Sequence, residues 1–276
     1  MSADRHRQRA GSRSVLIGLP RWAYVPAALA ALLLLLPLVA LVARADWPRV
    51  PAALMSAEAR DALWLSLKCG VSATLICLLF GTPLAILLSR SDGGGARVLR
   101  ALVTVPLVLP PMVGGIALLY LLGVQGLAGK YLFSWFGTRI SFTTTAVVIA
   151  EAFVALPFLV LTLEGALRSA GTRYEAVAAT LGAGRWTVLR RVTLPLLGPA
   201  LAASTALCFA RALGEFGATE LFAGNAQGTT RTMPLAIYTA FNGGGTGTDA
   251  SVAMALLLVV VAVMILLLIR PRRTDR

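Results

Sequence analysis

Six long apolar runs, at 22–43, 63–88, 99–122, 143–163, 196–216 and 251–269, constrain this chain more than any other feature. About 20 apolar residues cross roughly 30 Å of hydrocarbon as a helix. Backbone polar groups in lipid must be satisfied within their own segment, so runs of this length fold as helices. The connections between them are too short to hold a core of their own. The expected fold is an all-α membrane protein of six transmembrane helices. Composition agrees: charged residues make up 13% of the chain, against about 25% in a soluble domain.

The net charge of +13 raises the question of nucleic acid, and its placement answers it. With the N-terminus inside, seventeen arginines fall in cytoplasmic segments, at 5–21, 90–100, 168–191 and 270–276. Six basic residues fall on the opposite side: Arg44, Arg49, Arg60, Lys130, Arg139 and Arg231. Cytoplasmic loops of membrane proteins carry this excess. Both termini are therefore expected in the cytoplasm, as an even number of spans requires, and no nucleic-acid partner is expected. The basic tail, 1–21, has lipid headgroups as its natural neighbours. The first run is longer than the apolar region of a signal peptide, so it is expected to stay as an anchor.

Little here supports catalysis. Cys69, Cys77 and Cys208 all lie in apolar runs without metal-ligand spacing, and the single histidine, His6, sits in the tail. No catalytic or metal site is expected. The only lysines are Lys68 and Lys130, and neither belongs to a GxxxxGK[ST] phosphate-binding loop.

Polar and helix-breaking residues inside the runs are more informative. The third run contains Pro106, Pro110 and Pro111, followed by Gly114 and Gly115. Proline removes backbone donors and glycine lets backbones approach, so this span reads as a broken helix that faces protein or a wet pathway, or else as a kinked packing helix with no transport role. Arg211 and Glu215 stand four residues apart on the fifth run. That spacing makes an intrahelical pair, or places Arg211 where a passing anion needs a positive partner. Pro110, Pro111, Gly114, Gly115, Arg211 and Glu215 are the pathway and gate candidates. Glu151 lies within the fourth run, with Lys68 expected at similar depth as its partner. An intramembrane carboxylate left alone would instead suit a proton relay.

Between the fourth and fifth runs lies YEAVAATLGAGRWTVLRRVTLP, Tyr174 to Pro195. Tyr174, Val177, Ala178 and Leu181 recur at i, i+3, i+4 and i+7, which is one apolar stripe on a short helix. Gly182 and Gly184 supply a C-cap and a bend, and Pro195 suits the first turn of the next helix. The stripe either packs on the chain's own spans or lies in a groove of another protein.

This segment resembles the EAA loop of binding-protein-dependent ABC importer permeases: Glu-Ala-Ala, three residues, Gly, nine residues, Ile, any residue, Leu-Pro. Gly182, Val192, Leu194 and Pro195 fall on its back half; Ala176, Val177 and Ala178 fall on Glu-Ala-Ala, with Glu175 one residue early. PLVLPPMVGG (106–115), ARALGEFGATELFAGN (210–225) and TRTMPLAIY (230–238) resemble the molybdate and tungstate branch, with sulfate permeases as near relatives. The resemblance implies a type I importer fold over 63–269, in a bacterial plasma (inner) membrane. It implies two copies forming a pore, two cytoplasmic ATPase subunits binding ATP and Mg, and an external oxyanion-binding protein. The chain itself would carry no cofactor and no enzymatic activity. ATPase coupling would fall to Tyr174, Glu175, Val177, Ala178, Leu181, Gly182, Ala183, Gly184, Arg185 and Trp186, within the connection 164–195. Two alternatives stand beside this reading: a sulfate or thiosulfate ABC permease, and a proton-coupled secondary transporter that uses Glu151.

Overall fold

The computed structural model describes residues 21–244 and 247–268. Most of the basic tail and the end of the sixth run with its arginines lie outside the described residues. The chain divides into two units, Met1–Arg44 and Ala45–Arg276. In the first, a 3-10 turn leads into α1 (Tyr24–Arg44), none of whose side chains is buried.

The second unit is helical throughout its described residues. Its helices run in the order α2 (Val50–Leu54), α3 (Ala57–Ser89), α4 (Gly94–Val108), α5 (Pro111–Leu122), α6 (Gly129–Phe136), α7 (Thr144–Ala170), α8 (Arg173–Thr180), α9 (Arg185–Val188), α10 (Leu194–Leu213), α11 (Gly217–Ala223), α12 (Met233–Phe241) and α13 (Thr248–Leu268). Between α9 and α10 the residues Leu189–Thr193 form a π-helical turn. Among the described residues of both units, five helical stretches, α1 included, are long and apolar enough to cross a membrane, and α4 with α5 makes a sixth if the bent pair counts as one span.

The core is α3 against α7, with α10 packed on both. Hydroxyl caps start the two long helices. Ser56 Oγ accepts from the Ala59 N–H at 3.2 Å, and Thr143 Oγ1 accepts from the Ala146 N–H at 3.3 Å. Small residues line the contact: Ala73, Cys77 and Ala85 of α3 meet Ala152 and Ala155 of α7 and Cys208 and Ala212 of α10. In lipid, helices associate by close packing rather than by the hydrophobic effect, and small side chains permit it. The three cysteines are buried and unbridged, as packing residues.

The structure adds to the sequence reading in three places. The third run is broken, with a bend of 115° between α4 and α5. Leu109 and Pro110 are both extended, with ψ of 134°. A residue that precedes proline is pushed out of the helical region, and Leu109 and Pro110 each precede one. The fifth run does not reach residue 216 as a single helix. α10 stops at Leu213, and Glu215 and Phe216 lie in the turn before α11. The connection after it, 217–250, carries two short helices: α11 packs on α5 and α7, and α12 packs on α13 and α3.

Candidate functional site

At the Ser89 end of α3 lies the segment of α8, α9 and the π-turn. α8 ends in a full glycine cap. Gly182 has φ +82°, its N–H donates to Ala179 O at 3.0 Å, and the Ala183 N–H donates to Ala178 O at 3.1 Å. Gly182 suits a left-handed C′ position that an L side chain rarely adopts. Gly184 plays a different part. It is extended, at φ −67° and ψ 158°, and serves as N-cap of α9.

The apolar stripe of α8 is left largely uncovered among the described residues. Tyr174, Val177 and Leu181 are 63%, 54% and 83% exposed, and Trp186 on α9 is 70% exposed. Ala178 and Ala183 are half-buried, and Arg185 is exposed. Glu175 turns aside. Its Oε1 accepts from Arg90 Nη2 at 2.6 Å and from Thr193 Oγ1 at 2.5 Å. Among the described residues, Glu175 alone of the coupling candidates makes an ion pair, and it does so about 100° round the helix from Tyr174, beside the stripe.

A second ionic cluster sits beside the first. Glu164, buried near the end of α7, accepts from Arg100 Nε at 2.8 Å and Arg168 Nε at 3.0 Å. Both arginines also donate to Leu88 O, at 3.2 and 3.0 Å. The last turn of α3 is thereby tied to α4 and α7. Sequence reasoning missed Arg90, Arg100 and Thr193. Each looks like an ordinary flanking residue, and their partners lie far away along the chain.

In the other half of the α3–α7 pair, α5 and α11 lie against each other. A Cβ placed on Gly115 would fall 2.8 Å from Ala218 O, and one on Gly217 would fall 3.0 Å from Pro111 Cβ. The PP-x-x-GG stretch and the Gly-Ala-Thr stretch are thus two halves of one backbone contact. Gly114 and Gly115 are buried there, while Pro110 and Pro111 are exposed. Glu215 Oε1 accepts from the Ala218 N–H at 2.9 Å, inside the first turn of α11. Its other oxygen lies 2.6 Å from Arg211 Nη2, with Glu215 1% exposed and Arg211 26%. A carboxylate at a helix N-terminus is favoured by unpaired amides and by the helix dipole. Arg211 and Glu215 therefore fix how α10 turns into α11. Buried oxygens without a hydrogen-bond partner among the described residues cluster close by, at Thr219 Oγ1 and Glu220 Oε2. Buried groups of this kind are ordinarily met by water.

The expected Glu151–Lys68 pair is absent. Glu151 is 1% exposed, with Oε2 unpartnered. Lys68 is exposed, and no ion pair joins the two. One residue along a helix turns a side chain by about 100°. Cys69 takes the α7-facing position of α3, and Lys68 is swung off it.

Comparison with known proteins shows the family to which this chain belongs. Residues 78–276 match the family described as binding-protein-dependent transport system inner membrane component. The molybdenum transport system permease protein ModB of Mycobacterium bovis is 54% identical over 220 residues, covering 80% of this chain and 83% of that protein. The Escherichia coli K12 protein of the same name is 44% identical over 179 residues, covering 65% and 78%. The E. coli K12 sulfate transport system permease protein CysT is 37% identical over 210 residues, covering 75% and 76%. Among solved structures, a bacterial alginate ABC transporter in complex with its pentasaccharide-bound periplasmic protein superposes with a TM-score of 0.67 at 18% identity, covering 90% of this chain and 91% of that one. The fold is that of an ABC importer permease, and this chain belongs to the family of binding-protein-dependent transport system inner membrane components.

Proposed function

We propose that this chain is the permease subunit of an ATP-driven importer for molybdate or tungstate. Two copies form the pathway, with both termini in the cytoplasm. A separate ATPase dimer, carrying ATP and Mg, docks on the stripe of Tyr174, Val177, Leu181 and Trp186. A binding protein delivers the oxyanion from the opposite side. The observation that carries the reading is the bare apolar face on the glycine-capped helix α8. Its side chains have the spacing of helix-in-groove recognition, and the described residues leave them exposed. The substrate class rests on the two molybdenum permease relatives, at 54% and 44% identity.

Transport proceeds by alternating access. ATP-driven closure of the ATPase dimer moves α8, and the motion reaches α10 through the π-turn. The hinge pair α5–α11, set by Gly115, Gly217, Arg211 and Glu215, then parts or closes the pathway. A dianion crossing there meets Arg211 as a transient positive partner. Because Arg211 already has Glu215 beside it, selectivity resides in the binding protein.

The test is ATP hydrolysis by the permease reconstituted with its ATPase and binding protein. Stimulation by molybdate or tungstate but not by sulfate supports the reading. Stimulation by sulfate alone moves the substrate to the class of the 37% identical relative. Failure to form a complex with any ATPase removes the docking role of α8 and brings the proton-coupled alternative at Glu151 forward.

A further inference from the structure

All side-chain hydrogen bonds that join α8 to another helical element among the described residues run through one carboxylate. Glu175 Oε1 accepts from Arg90, the residue that ends α3, and from Thr193, the last residue of the π-turn that opens into α10. Backbone bonds hold α8 only to its own flanks, from Ala176 back to Thr172 and from Gly182 and Ala183 back into the last turn. Tyr174, Val177 and Leu181 of the stripe stay exposed among the described residues. Besides the chain itself, which runs from α8 through α9 and the π-turn into α10, one side chain links α8 to two long helices.

The two receiving points differ. The last turn of α3 is anchored, because Leu88 O is held by Arg100 of α4 and Arg168 of α7, and Glu164 holds both arginines. Thr193 is in a π-turn, where one residue too many is fitted into a helical turn and the regular i→i−4 ladder is interrupted. Such turns change register more easily than a regular helix. Thr193 Oγ1 also lies 3.5 Å from Val188 O, across that same turn. Arg90 Nη2 also donates to Thr193 Oγ1 at 3.4 Å, so Glu175 closes a triangle between a fixed post and a deformable one and is its one member on α8.

We propose that Arg90, Glu175 and Thr193 form the transmission between the docked helix α8 and the spans, and that they are positioning residues distinct from the docking stripe. Displacement of α8 pulls on Thr193 against Arg90. The π-turn yields, and α10 moves relative to the α3–α4–α7 block. This rests on the ABC permease reading above and adds a prediction of its own: docking and coupling separate. Loss of the stripe removes ATPase binding. Loss of the Glu175 bridge leaves binding intact and lets ATP be hydrolysed without transport.

The experiment uses the reconstituted permease–ATPase complex with its binding protein and molybdate. It compares wild type with Glu175→Ala, Glu175→Gln and the exchange Arg90→Glu with Glu175→Arg. Three readouts are taken: ATPase recovered with the permease, ATP hydrolysed, and oxyanion taken up per ATP. Glu175→Ala is expected to recover ATPase at the wild-type ratio, and its uptake per ATP to fall at least about threefold, within the range for residues on a coupling network. The exchange restores part of that ratio. Glu175→Gln keeps an acceptor oxygen without the charge and falls between, which keeps the test decisive if the alanine variant does not assemble. Unchanged uptake per ATP in both single variants overturns the proposal. So does loss of ATPase binding in both, which would put Glu175 in the docking surface. Failure of the substrate reading looks different, because wild type itself would not respond to molybdate-loaded binding protein.

Discussion

The two ends of the α3–α7 pair handle glycine and apolar surface in opposite ways. At the α5–α11 contact, glycine serves closeness: Gly115 lies against the backbone of Ala218, and the surrounding core is sealed by Leu118, Ala218 and Phe222. At α8, glycine serves direction: Gly182 turns the chain at φ +82° with nothing within 4 Å of its missing Cβ. There Tyr174, Val177 and Leu181 are left bare. The first region is completed by its own chain. The second is shaped by its own chain and, on the function proposed above, completed by another protein. Stability and partner affinity should therefore separate cleanly between them.

The largest effect is expected where the backbone contact is closest. Gly115→Leu drives side-chain atoms into Ala218 O, which already lies 2.8 Å from a bare Cβ. Overpacking of this kind costs about 3 kcal/mol at its upper end. A marked drop in the melting temperature of the purified permease, with transport lost alongside it, is the expected outcome. A wild-type melt would mean that α5 and α11 do not hold this contact in the membrane.

At the other end the signs reverse. Leu181, 83% exposed, contributes little to the chain's own stability. Leu181→Asp should leave the melt within about 0.5 kcal/mol of wild type. It should weaken ATPase binding by at least about 2 kcal/mol, roughly thirtyfold, as loss of an interface anchor does. A lowered melt with unchanged ATPase affinity would reverse the comparison.

What could be read from the sequence divides along the same physical line. Long apolar runs and the four-point stripe depend only on local period and on the demands of lipid, so α3, α7, α10 and the face of α8 were visible at once. The prolines announced a break near residue 110, but not its size. The 115° between α4 and α5 is accommodated by α11, whose packing against α5 no local rule supplies. Depth could be read and azimuth could not: Lys68 and Glu151 were matched by depth, yet α3 turns Cys69, not Lys68, toward α7. The bridge from Glu175 to Arg90 spans 85 residues, and only tertiary structure brings it about.

The smallest effects test whether glycine at the α8 end is there for direction alone. The sequence reading gives Gly182 and Gly184 a C-cap and a bend, and the backbone separates them in conformation. Gly182 sits at φ +82° and Gly184 at φ −67°. Alanine in the left-handed region costs about 1–2 kcal/mol. Neither Cβ would meet a neighbour, so sterics add nothing to either change. Gly182→Ala should thus loosen the cap of α8 and speed amide exchange at Gly182 and Ala183, whose N–H groups close it. Gly184→Ala keeps an allowed extended N-cap, and should shift stability by less than about 1 kcal/mol. Hydrogen exchange on both variants, read at those two amides, decides the matter. Equal protection in the two would mean that the left-handed turn is not what fixes α8, and that its direction comes from the ATPase rather than from the chain.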